Sequence, residues 1–137
     1  FSSHYAGPVC APARCSLLTG RNSGNCTIRG NDGSYTPLLR NDTTVARVLS
    51  DAGYSTALFG KYGLGDHNTT GYPLQQGFHT FYGYDTQVSC HDWYPAALWR
   101  QDVSEPIPAN NDRCAVYNAD LLVNESLAYI RAAGARS

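Results

Sequence analysis

Apolar and polar positions alternate along this chain in a way that separates three helical stretches from two short strands. Pro12 suits the first turn of a helix, where a missing N–H costs nothing. Ala13 to Thr19 continue that helix and Gly20 ends it. Positions 21–40 are rich in Gly, Asn, Asp, Ser and Thr and read as loop. Asn41 or Asp42 then stands where a cap belongs. Val45, Val48, Leu49 and Ala52 follow at i, i+3, i+4 and i+7, one apolar face of a helix that Gly53 stops. Tyr54 to Phe59 is a short β-prone run ending at Gly60-Lys61, and a second strand is predicted from Phe78 to Tyr84. Positions 62–76 read as loop. Positions 90–111 mix Trp, Pro and Tyr without a period and read as irregular. A last helix is predicted from Asn118 to Ala133, with Ala119, Leu122, Val123, Leu127 and Ile130 as its apolar stripe. Helices alternating with short buried strands give an α/β class. Ligands of open α/β sheets sit beyond the carboxyl ends of the strands, which is where Lys61 falls.

Composition narrows the function. Charged residues are 15% of the 137, against roughly 25% in ordinary soluble domains, and the net charge is −1. That balance offers no electrostatic footprint for nucleic acid or an anionic membrane surface. No apolar run is long enough to span a bilayer. The chain contains no methionine, so it is expected to be an internal piece of a longer polypeptide, one partial domain (1–137) truncated at both ends. Five cysteines, Cys10, Cys15, Cys26, Cys90 and Cys114, make an odd set. N-x-Ser/Thr sequons stand at Asn25, Asn41, Asn68 and Asn124. Together they point to an oxidising compartment: the secretory pathway, with an extracellular, lysosomal or periplasmic destination.

The sharpest chemistry lies in Pro8-Val9-Cys10-Ala11-Pro12-Ala13-Arg14-Cys15-Ser16-Leu17-Leu18-Thr19-Gly20-Arg21. A cysteine just before a helix N-terminus meets unpaired N–H groups and the positive end of the helix dipole, both of which stabilise a nearby anion. Arg14, four residues on, adds a fixed charge and a bidentate donor fork. Nucleophile, amides and guanidinium in one turn suit attack on a sulfate or phosphate ester. Cys10 and Cys15 as ordinary disulfide partners remain the plain alternative. A zinc site from Cys90, His91, Cys10 and Cys15 lacks paired ligand spacing.

Cys10-x-Pro12-x-Arg14 followed by Leu17-Leu18-Thr19-Gly20-Arg21 resembles the first signature of the type I sulfatases, members of the alkaline-phosphatase-like superfamily. Gly53 to Lys61 resembles the second signature, which ends in Gly-Lys-Trp-His-Leu-Gly or a relative; here it ends Gly60-Lys61-Tyr62-Gly63-Leu64-Gly65. Gln76-Gly77-Phe78, Phe81 to Tyr84, and Tyr117 and Asp120 with the helix to Arg131 are similar to segments that follow. The resemblance thus covers nearly the whole chain and implies a piece of the N-terminal catalytic domain, an incomplete α/β sandwich.

What the resemblance implies about chemistry is specific. Cys10 is the residue that a formylglycine-generating enzyme oxidises, which exempts it from disulfide pairing and leaves four cysteines to pair. Hydrated formylglycine at position 10 presents two hydroxyls: one, held near a divalent cation, attacks sulfur, and the other loses its proton and expels sulfate. Position 10 is thereby also a metal ligand. The cation, Ca2+ by family habit, takes most of its ligands from segments outside these residues, so the chain by itself is expected to hold no calcium tightly. Arg14 stabilises the hydrate, and Lys61 neutralises a sulfate oxygen. Gly63 stands where the second signature has histidine, which marks a subgroup and leaves the proton donor to the leaving group unassigned. His91, in Cys90-His91-Asp92-Trp93-Tyr94-Pro95, is the candidate to replace it, with a non-catalytic loop histidine as the alternative. The expected substrate is a sulfated carbohydrate or an aryl sulfate. Alternatives are a phosphonate monoester or phosphodiester hydrolase of the same superfamily, a non-catalytic sulfatase-like glycan-binding protein, and a small disulfide-stapled secreted domain.

Overall fold

The computed structural model describes residues 2–3, 5–31 and 36–135. Helix α1 (Cys10–Thr19) carries Pro12 in its first turn, as the sequence predicts. It stops at Gly20, whose φ of 68° lets its N–H return to the Ser16 carbonyl. Helix α2 (Val45–Asp51) follows, then strand β1 (Ala57–Lys61), strand β2 (Thr80–Tyr84), a hairpin of β3 (Ala97–Arg100) and β4 (Val103–Pro106), and helix α3 (Asn118–Gly134). Single 3-10 turns at Pro73–Gln76, Ser89–His91 and Pro108–Asn110 punctuate the loops.

Helix α2 differs from expectation in its cap. Thr44, and neither Asn41 nor Asp42, caps it: the Thr44 hydroxyl accepts from the Arg47 N–H at 3.1 Å and donates to the Gln76 carbonyl at 2.6 Å. Asp42 is free to turn inward. Only 7% exposed, it receives the Arg21 guanidinium at 2.8 Å, the Thr27 hydroxyl at 2.7 Å and the Leu39 N–H at 2.9 Å, closing the loop between α1 and α2. The apolar face of α2 is not core here. Val45, Val48 and Leu49 are 40–56% exposed, and Ala46 is the buried residue of the helix.

The sheet runs β1-β2-β3-β4, with β1 and β2 parallel and the remaining pairs antiparallel. Positions 90–111, expected to be irregular, instead hold β3 and β4. A two-residue turn, Gln101-Asp102, joins them, and Gln101 takes a φ of 57°, the left-handed backbone such hairpins need. Gln101 also stitches the hairpin to β2. Its N–H donates to the Phe81 carbonyl at 2.9 Å, its Oε1 accepts from the Phe81 N–H at 2.7 Å, and its Nε2 donates to the His79 carbonyl at 2.9 Å. Pro106 is tolerated because β4 is the edge strand.

Two apolar clusters hold the elements together. Ala11 and Cys15 of α1 pack with Cys26, Ile28, Leu38, Tyr62 and Leu64. Tyr82, Tyr84 and Leu98 of the sheet pack with Phe59, Leu121 and Leu122. Helix α3 therefore meets the sheet through Leu121 as well as Leu122, while Val123, Leu127 and Ile130 of the predicted stripe stay exposed. Arg100 fixes the helix to the hairpin. It forks onto Glu125 at 2.7 and 2.9 Å, reaches Glu105 at 2.8 Å, and lies 4.5 Å over the Tyr82 ring.

Gly60 and Gly83 face each other across the parallel pair. A Cβ on Gly83 would lie 2.0 Å from the Gly60 carbonyl oxygen, backbone that cannot move without parting β1 from β2. Gly83→Ala is expected to cost about 3 kcal/mol, read as a fall in the midpoint of urea unfolding with an unchanged slope.

Candidate active site

The parallel strands end side by side at Lys61 and Tyr84, and helix α1 brings its N-terminus to this edge. Arg14 makes the connection. Its Nη1 donates to the Lys61 carbonyl at 2.8 Å, so the guanidinium one turn into α1 is tied to the last residue of β1. Cys10, the first residue of the helix, is exposed, while Ala11 and Pro12 behind it are buried and anchor the turn.

Asn31 completes the arrangement. Its Oδ1 accepts the Ala11 N–H at 2.9 Å, and its side chain hydrogen-bonds the Cys10 thiol. That bond, followed by the charge of Lys61, holds the Cys10 thiol below its ordinary pKa. Cys15, one turn further along, has the opposite character. Fully buried beside Cys26, it is pushed up to about 11, first by desolvation. One helix thus presents an activated sulfur and an inert one. In unmodified protein, iodoacetamide is expected to label Cys10 well ahead of Cys15 and Cys26. Asn31→Ala should shift the rate–pH curve of Cys10 to higher pH, because the bond stabilising the thiolate is gone. Peptide mapping of the alkylated protein reads both effects.

Cys10 and Arg14 line one groove of about 700 Å³ with Tyr5, Gly7, Ala13 and Leu17. A separate cavity of about 320 Å³ is lined by Arg40, His67, Asn68, Tyr72, Gln75 and Asp102 and shares no residue with it. Of the four residues singled out in the sequence, three come together: Cys10, Arg14 and Lys61. His91 ends the Ser89–His91 turn and is exposed; its backbone N–H bonds the Val88 carbonyl, and no described contact joins its ring to the other three. Asn31 was missed. It lies between loop residues with no spacing or motif to mark it, and only the folded loop carries it to Ala11 and Cys10.

The surroundings of Cys10 suit an anionic or strongly polarised nucleophile: an ammonium, a guanidinium and an amide converge there. They do not suit calcium, which wants six to eight oxygen ligands with carboxylates among them. Among the described residues no group of three His, Cys, Asp or Glu could hold a metal.

A family model described as Sulfatase matches residues 1–135. The chain belongs to the sulfatase family. Among curated sulfatases, arylsulfatase G of Rattus norvegicus is 40% identical over 93 residues, covering 65% of this chain and 18% of that protein. Arylsulfatase H of Homo sapiens is 34% identical over 125 residues, covering 72% of this chain and 22% of that protein. N-acetylgalactosamine-6-sulfatase of Canis lupus familiaris is 34% identical over 102 residues, covering 66% and 19%. The chain therefore spans about a fifth of the length of these sulfatases. The crystal structure of Ps i-CgsB superposes with a TM-score of 0.70 at 19% identity, covering 90% of this chain and 31% of that one, a likeness of fold. The α/β class and the incomplete sandwich expected of a sulfatase fragment agree with it.

Proposed function

We propose that these residues are the nucleophile-bearing part of a sulfuric ester hydrolase, from the N-terminal portion of its catalytic domain. The observation that carries the reading is the setting of Cys10: exposed at a helix N-terminus, held by Asn31 and the charge of Lys61, beside an Arg14 tied to the end of β1. Cys10 is the residue converted to formylglycine by a formylglycine-generating enzyme. Its exposure makes it accessible to that enzyme. Hydrated formylglycine supplies a pair of hydroxyls, one to attack sulfur and one to release sulfate afterwards. Lys61 and Arg14 hold the sulfuryl oxygens against that centre, and Asn31 orients the group at position 10 through its bond to it. Formylglycine at position 10 would offer calcium one oxygen; the described residues do not supply the rest of a calcium site, and no step here runs through it.

The substrate we favour is a sulfated carbohydrate. Trp93 is 61% exposed and stacks on Tyr117 at an interplanar angle of 18°, a flat aromatic face of the kind that takes a sugar ring. The Ps i-CgsB fold also exists in a crystal structure in complex with k-i-k-neocarrahexaose. The four sequon asparagines Asn25, Asn41, Asn68 and Asn124 are all exposed, which supports a glycosylated, secretory protein. His91 stands on the segment leading to Trp93 and is our candidate for contact with the leaving group.

The decisive test is the mass of the tryptic peptide ending at Arg14, taken from the full-length protein isolated from its own source. An aldehyde or its hydrate at position 10 is expected; an unmodified thiol or half a disulfide would reject the mechanism. Turnover of an aryl sulfate in preference to an aryl phosphonate separates the sulfatase from its phosphonate-cleaving cousins.

A further inference from the structure

Gln87 lies three residues beyond the carboxyl end of β2, and its carboxamide is the most anomalous polar group in the described chain. The residue is 8% exposed, yet neither Oε1 nor Nε2 has a hydrogen-bond partner among the described residues. Tyr62, Asn118 and Tyr129 each leave one buried polar atom unpaired; Gln87 leaves both. Burying an amide with all its donors and acceptors empty is costly, and proteins keep such groups where a ligand completes them.

Its position says which ligand. A Cβ built on Gly63 would lie 2.1 Å from Gln87 Oε1 and 3.8 Å from Lys61 Cε. The carboxamide thus fills the space a side chain at position 63 would need, directly beside the stem of Lys61. Gly63, buried with a φ of 72°, is what leaves that space open. Lys61 in turn reaches Cys10 and is held by Arg14. A neutral N–H donor beside the stem of Lys61, whose carbonyl Arg14 holds, at the carboxyl edge of a parallel strand pair, matches a tetrahedral oxyanion.

We propose that Gln87 is a substrate-binding residue of this site, its carboxamide N–H donating to an oxygen of the bound sulfate ester in the place that Gly63 leaves vacant. The assignment rests on the reading of Cys10, Arg14 and Lys61 as a sulfate site. A carboxamide does not titrate, so Gln87 orients and stabilises the sulfuryl group; it does not protonate the leaving alcohol.

The test uses the full-length enzyme, with Gln87→Ala and Gln87→Glu, 4-nitrophenyl sulfate as substrate and inorganic sulfate as competitive inhibitor. Gln87→Ala is expected to lower kcat/KM by about 100-fold and to weaken sulfate inhibition by about tenfold. Its unfolding temperature should match or exceed that of the unsubstituted enzyme, because an unsatisfied buried amide has been removed. Gln87→Glu should lose more near neutrality and recover as pH falls and the carboxyl regains a proton to donate. Unchanged kinetics and unchanged sulfate inhibition in Gln87→Ala would overturn the assignment, leaving the amide to a buried water, while turnover by the unsubstituted enzyme keeps the sulfatase reading intact. A lowered unfolding temperature with unaltered sulfate inhibition would overturn it in favour of a packing role. If the unsubstituted enzyme neither turns over the ester nor binds sulfate, both readings fall together.

Discussion

Replacing Cys10 by alanine in the full-length enzyme is expected to reduce aryl sulfate hydrolysis by at least about 10⁴-fold, the scale on which loss of a nucleophile is felt. Stability should hardly change. Cys10 is exposed, its neighbours Ala11 and Pro12 supply the buried contacts of that turn, and the thiol belongs to no disulfide in this structure. Cys10→Ser separates nucleophilic attack from release. A serine hydroxyl in the same setting of Asn31, Lys61 and Arg14 can still displace the alcohol, but it has no second hydroxyl with which to expel the sulfate. The expected record is a burst of at most one equivalent of phenol followed by silence, with the peptide ending at Arg14 heavier by one SO3 group. Steady turnover by the serine variant would remove position 10 from the chemistry altogether.

Arg14→Lys is the second large effect, expected at about 10²- to 10³-fold in kcat/KM although the charge is kept. The guanidinium has two tasks at once. One N–H is spent on the Lys61 carbonyl at 2.8 Å, and Arg14 lines the same groove as Cys10. An ammonium has no planar fork and cannot hold the backbone oxygen and a sulfate oxygen in one fixed geometry. The loss should fall mainly on kcat, since misplacing the end of β1 displaces Lys61 from the sulfuryl oxygen as chemistry proceeds. A compensating fall in KM, or an unaltered kcat, would show that Arg14 serves the fold alone.

The sequence carried the local decisions well where a single residue type has few alternatives. Pro12 and Gly20 bracket α1 because one lacks an N–H and the other adopts a left-handed backbone at no steric cost. Short β-prone runs rich in aromatic residues pick out β1 and β2 within two or three residues. The hairpin of β3 and β4 was invisible, since Pro95, Pro106 and the intervening polar residues break the alternation, and its register is set by Gln101 bonding across to β2. The cap of α2 differs for a related reason: Asp42 has the right chemistry for a cap, but Arg21 and Thr27 from earlier in the chain, with the nearby Leu39 N–H, claim its carboxylate. The apolar stripes of α2 and α3 were correctly seen as apolar, yet Val45, Val48, Leu49, Val123, Leu127 and Ile130 stay exposed, while Leu122 packs against the sheet.

The candidate site divides in the same way. The run from Cys10 to Arg21 was enough, through its resemblance to a sulfatase signature, to indicate the family and to single out Cys10 and Arg14 as candidates, because that signature is contiguous and lies within one helix. Lys61 was legible through its own local motif. Which groups actually surround the sulfur was decided only by tertiary structure. Asn31 reaches Cys10 from a loop 21 positions away, and Gln87 takes the space beside Gly63 from beyond the end of another strand. A motif records what a short stretch must present. The contacts that tune it come from chain segments brought together by burial and strand pairing, and those depend on the packing of the whole sheet.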